Sequence, residues 1–237
     1  MHHSAETVAT YKNYYRLVKK NPENKRYLFE YAMILAQMGR VEDAGKELKH
    51  IDELDDQYAH KILVVLEQEK LRDLNNWKTR FKLGFVYYFL YEEAQGRVDL
   101  AKRRIKRVHE RPNEFPQGTL EREKDIIAEK APLADDYRVK ALFNFKRVAE
   151  KKPVSVANAW GYAYMGVIKA IEKDWPAAQN FCELALAIEP DAYAIRAAYM
   201  EALKQNGNPL AAASQMSTAL SLKSAQEAYE KELLGHD

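Results

Sequence analysis

"AWGYAYMGVIKAIEKDWPAAQNFCELALAIEPDA", residues 159–192, decides how the chain is read. A short polar break at Lys173-Asp174 separates two alanine-rich runs, and Pro190 closes the second. The same features return 34 positions later (212 − 178 = 34). Ala178 maps to Ala212, Ala185 to Ala219, Asp174 to Asn208, Lys173 to Gly207 and Met165 to Tyr199. A fixed period of this size is the mark of a repeat architecture.

One unit has a clear physical reading. Residues 157–172 form a first helix, Asp174 caps the next, and Pro176 falls in its first turn, where a missing N–H costs little. Residues 175–188 form the second helix; Pro190 ends it and Asp191 caps the one after. Helices joined so tightly pack antiparallel. Gly166, Ala178 and Ala185 supply the small side chains that let their backbones approach. Enlarging Ala178 to Leu is expected to overpack that contact, at about 1–3 kcal/mol.

These residues resemble the tetratricopeptide repeat (TPR) family, whose pattern is W-x2-L-G-x2-Y, A-x3-F, A and P in about 34 residues. Met165-Gly166 stands for Leu-Gly, followed by Ala178, Ala185 and Pro190. Cys182 takes the place of the aromatic, beside Phe181, and Lys169 replaces the Tyr. Residues 25–58 continue the match with Ala32, Gly39, Ala44 and Leu48, after Asn21-Pro22. Residues 77–113 begin "WKTRFKLGFVY", with Leu83, Gly84 and Tyr87 on pattern and Gly96 and Ala101 about five positions late. In residues 122–155, Ala141, Phe145 and Pro153 match, while Glu129 departs from the pattern and Pro132 interrupts it.

The resemblance implies an all-α, right-handed helical-hairpin solenoid of about five TPR-like repeats over the whole chain, 1–237. The repeats would be 25–55, 77–113, 117–153, 157–190 and 191–222. Residues 1–20 and 224–235 are read as capping helices, the first through a stripe of Tyr11, Tyr14, Tyr15 and Val18. The second would open at Ser224 and Glu227, spaced as a capping box, and close at Gly235. Residues 58–73 read as an extra helix buried through Ile62, Leu63, Leu66 and Leu71, pairing with a long helix over 77–95.

Chemistry is sparsely signalled. The chain has 237 residues, a formal net charge of +2, 30% charged residues with both signs interspersed, and one cysteine, Cys182. An intrachain disulfide is impossible, which suits a reducing compartment such as the cytoplasm. There is no phosphate-binding glycine loop, no G-x-S-x-G, and no His or Cys pair at metal-ligand spacing. His2 and His3 are given no role, and His50 and His60 fall on different helices. Cys182 reads as a buried small hydrophobe. No cofactor, no metal and no enzymatic activity is expected.

The resemblance instead points to a concave wall. Its lining positions are Lys78, Phe81, Lys82, Phe85, Tyr88 and Phe89 in one unit, and Trp160, Ala163, Tyr164, Val167, Ala170 and Ile171 in another. Residues 25–58 supply Arg26, Phe29, Glu30, Met33, Ala36 and Gln37. Family members that hold a peptide carboxylate use a Lys/Asn/Arg clamp; here most of these positions are aromatic or aliphatic. A partner helix or an extended apolar segment is the expected ligand, anchored on Phe85, Trp160 and Tyr164. The same stripe is equally the pattern of a core covered by the extra helices.

Residues 97–111, "RVDLAKRRIKRVHER", form a basic run in which Arg103, Lys106 and Arg107 share one helix face and Leu100, Ala101, Ile105 and Val108 another. It reads as a solvated surface or as a patch for an acidic protein, RNA or an anionic membrane. The expected function is a non-catalytic adaptor or scaffold binding another protein or peptide. A secretion-type chaperone, or an acidic-partner or nucleic-acid binder through residues 97–111, is the alternative.

Overall fold

The computed structural model describes residues 5–234, and among these every regular element is helical. In order they are α1 (Ala5–Lys20), α2 (Lys25–Gln37), α3 (Val41–Leu54), α4 (Tyr58–Arg72), α5 (Trp77–Glu110), α6 (Thr119–Ala149), α7 (Val156–Ile171), α8 (Trp175–Ile188), α9 (Tyr193–Gln205) and α10 (Pro209–Leu234). A single 3-10 turn, Pro112–Glu114, lies between α5 and α6. His2, His3 and Gly235 lie outside the described residues.

Three helix pairs close through one turn. Gly39, Lys173 and Gly207 have φ of 80°, 62° and 78°, the left-handed region. In each case the following N–H reaches back five residues at 2.9 Å: Arg40 to the carbonyl of Leu35, Asp174 to Lys169, and Asn208 to Leu203. This arrangement satisfies helix-end carbonyls that otherwise lack partners. Asp174 Oδ1 then accepts the Ala177 N–H and Asn208 Oδ1 the Ala211 N–H, both at 3.3 Å. The polar breaks 34 positions apart therefore do the same work. Ala178 and Ala185 are buried. A β-carbon on Gly166 would meet the Ala178 carbonyl at 3.3 Å, so the expected close approach of α7 and α8 is present.

Elsewhere the boundaries differ. Residues 77–113 do not form a hairpin. One helix runs through Gly96, because Ala94, Val98 and Ala101 keep a continuous buried seam and a helical glycine costs only about 1 kcal/mol. Residues 117–153 likewise form the single helix α6, which passes through Pro132 while packing along α5. The two together make one long hairpin. At the C-terminus, α10 is unbroken; the Ser224 hydroxyl donates to the Leu220 carbonyl inside it and caps nothing. Asp191 does not cap α9, whose first flanking residue is Ala192. The extra helix α4 packs on α5 through Leu63 and Leu66, but Leu71 is exposed. In α5, Leu100 is exposed as well, apart from the buried Ala101.

Long-range contacts close the chain on itself. Tyr164 of α7 donates its hydroxyl to the Ala36 carbonyl of α2 at 3.4 Å. α10 touches α1. Arg40 and Asp43 share a pocket with Tyr193 of α9 and Lys223 and Gln226 of α10. The inner side of the curl is therefore filled. Around the fully buried Tyr164 ring stand Phe145 at 4.9 Å, Phe85 at 5.2 Å, and Phe81 and Tyr88 at 5.8 Å, a cluster drawn from α5, α6 and α7.

Candidate functional site

What stays open on the inner side is a cavity of about 440 Å³. Its apolar lining includes Met33 of α2, Trp77 and Phe81 of α5, and Trp160 of α7. Two ion pairs cross it. Lys82 Nζ donates to both oxygens of Glu30, at 2.6 and 2.8 Å, tying α5 to α2. Lys78 Nζ donates to Glu6 Oε1 at 2.9 Å, tying α5 to α1. The first pair is largely sheltered and the second solvated, so the first holds its geometry more firmly.

Two further groups stand at this cavity. The Trp160 indole N–H is buried without an acceptor. Its six-membered ring abuts Gly39. Glu189, just past α8, has its carboxyl pushed above the ordinary range by burial, with Asp191 adding to the rise. A hydrogen-bond acceptor is what the indole lacks.

The predicted groove residues thus divide. Lys78, Phe81, Lys82 and Trp160 line the cavity, together with Glu30, Met33 and Gln37. Phe85, Tyr88 and Tyr164 do not reach it; they are core, packed on one another and on Phe145, with the Tyr164 hydroxyl reaching the Ala36 carbonyl of α2. Val167 is half-buried and packs against that core. The sequence reading missed the wall built by Glu6, Thr7, Thr10 and Tyr14 of α1, and the contribution of Ser155–Ala157. No local pattern marks these residues, since only the fold brings α1 over α5.

Burial pushes the Cys182 thiol up to about 12, which keeps it protonated and unreactive near neutrality. Among the described residues, no three His, Cys, Asp or Glu side chains are grouped to hold a metal. None of the described helices is long and apolar enough to cross a membrane. Arg103, Lys106 and Arg107 are exposed on the distal part of α5, away from the cavity. No protein-family model and no curated protein matches the chain.

Proposed function

We propose that the protein is a non-catalytic, TPR-like solenoid of helical hairpins that works as a cytoplasmic protein-binding scaffold. Its ligand is an extended partner segment that inserts a side chain into the cavity between α1, α2, α5 and α7. The observation that carries this reading is the cavity's make-up: an aromatic and aliphatic floor with fixed charges at the wall, the usual composition of a pocket for one anchoring side chain. A volume of about 440 Å³ suits one or two side chains and not a whole helix. The partner is thus read as extended.

The test fills the cavity without touching the core. Ala157 lines it and is half-buried, so Ala157→Trp should occupy the space. Peptides enriched from a displayed random library by the wild type should be lost with the variant. They should also shift the emission of Trp77 and Trp160, both at the cavity. If a helical, fully folded Ala157→Trp protein retains the same peptides, the cavity is not the binding site.

A further inference from the structure

The long hairpin extends past the central core. Ala94 and Ala134 are the last residues through which α5 and α6 contribute to it. Beyond them, Val98, Ala101, Thr119 and Glu123 are buried in the seam of a two-helix arm. One flank of this arm has a consistent chemistry. Arg104 Nη1 and Arg122 Nη2 both donate to Glu123 Oε1, at 3.2 and 3.1 Å, so they lie on the same side of the seam. Along α5, Arg97, Leu100 and Arg107 follow the spacing of Arg104 in steps of three and four, and Arg111 stands just past the helix end. Along α6, Ile126, Glu129 and Leu133 follow Arg122 in the same way. The shared Glu123 and the packing of α6 along α5 set the two stripes side by side.

This flank is exposed except for the half-buried Ile126. Leu100 and Leu133 are both more than a third exposed, an uncovered apolar strip with arginines along it. Among the described residues Arg107 has no acidic partner, and Arg111 reaches only the exposed Glu114, at 3.4 Å. From Arg97 to Arg107 the stripe spans about 15 Å of helix, with one position per turn or near it. Guanidinium groups are weakly hydrated and bind carboxylates in a planar fork, so an arginine row flanking leucines is complementary to a helix with acids flanking apolar residues.

We propose that this flank of the arm docks an acidic amphipathic helix of a partner protein, its apolar side chains on Leu100 and Leu133 and its carboxylates on Arg104, Arg107 and Arg111. Two features favour this occupant over nucleic acid or lipid. The flank has no aromatic ring to stack on a base. The tip, residues 111–118, carries Phe115 half-buried and no bulky apolar wedge for a bilayer.

The probe is a synthetic helical peptide of about 21 residues, with leucines every three or four positions and glutamates beside them. It is measured by fluorescence anisotropy against the full chain, alongside its Lys-for-Glu counterpart, a short DNA duplex and anionic vesicles. The glutamate peptide should bind, weaken about tenfold from roughly 0.05 to 0.5 M salt, and lose about tenfold in affinity with Arg107→Glu/Arg111→Glu. That pair touches no buried group, and Lys102→Glu/Lys124→Glu, off this flank, should leave binding unchanged. The proposal is overturned if the lysine peptide, the duplex or the vesicles bind as well or better. Salt-independent binding, or full binding by Arg107→Glu/Arg111→Glu, overturns it equally. None of these outcomes depends on the cavity.

Discussion

Gly39 and Trp160 are in contact across the closed side of the molecule: a β-carbon on Gly39 would lie 2.3 Å from the indole Cη2. Gly39 also holds φ at 80°, where L-residues are strained. Gly39→Ala therefore meets two penalties, backbone strain and a clash with the indole ring. A loss of about 2–4 kcal/mol in urea unfolding is expected. Gly207, with φ of 78° and open space around it, separates the two effects. Gly207→Ala should cost only about 1 kcal/mol, and equal losses at both positions would show that the indole contact adds nothing.

Lys173 sits at the equivalent turn with φ of 62° and carries the strain without the benefit of glycine. Lys173→Gly should raise stability by about 0.5–1 kcal/mol, read as a higher urea midpoint with unchanged slope. A lower midpoint would mean that the Lys side chain stabilises more than its backbone conformation costs.

Asp55 joins α2 to α4, accepting from Lys25 Nζ at 2.8 Å and from Lys61 Nζ at 2.9 Å. The Lys25 bond first, and the Lys61 bond next, hold its carboxyl well below the usual range. The folded state thus takes up this proton at lower pH than the unfolded chain does. The stabilisation is complete above about pH 4, the unfolded value, and is lost as pH falls toward the folded value. Asp55→Asn should flatten that part of the stability–pH curve below about pH 4; an unchanged acid limb counts against the assignment.

Glu123 is fully buried in the arm's seam, with Oε2 unpartnered and two exposed arginines on Oε1. Its desolvation is poorly offset, and both arginines can return to water. Glu123→Leu should stabilise the protein by about 1–2 kcal/mol. It should also leave binding of the acidic peptide intact, since the arginines are released and not removed. Thermal unfolding of the variant against wild type decides the first point.

Tyr164→Ala should cost about 3–5 kcal/mol, because it empties the centre of the aromatic cluster. A loss under about 1 kcal/mol would place the ring on a surface, as a groove anchor requires. Loss of partners by this variant therefore reports unfolding, and Ala157→Trp is the cleaner probe of the cavity.

The local punctuation was readable from the residues alone. Asp174 and Asn208 cap as their composition suggests, and Gly39, Lys173 and Gly207 sit where a helix must turn back. Gly96 misled because a glycine inside a helix and a glycine ending one look alike in sequence; the Ala94, Val98 and Ala101 seam decides for the helix. Ser224 and Glu227 misled for the converse reason, since a capping pair has no effect where no break interrupts the preceding turn. Whether Phe85, Tyr88 and Tyr164 face a groove or a core depends on residue 164 meeting residue 36, a pairing 128 positions apart that no periodicity encodes.

The contact between α10 and α1 changes how this chain should come apart. Open helical arrays fray from their ends, each outer unit melting before its neighbour. Here α1 and α10, the outermost described helices, touch each other, so the opening of one is expected to disturb the other. Amide exchange should then show α1 and α10 sharing one opening event.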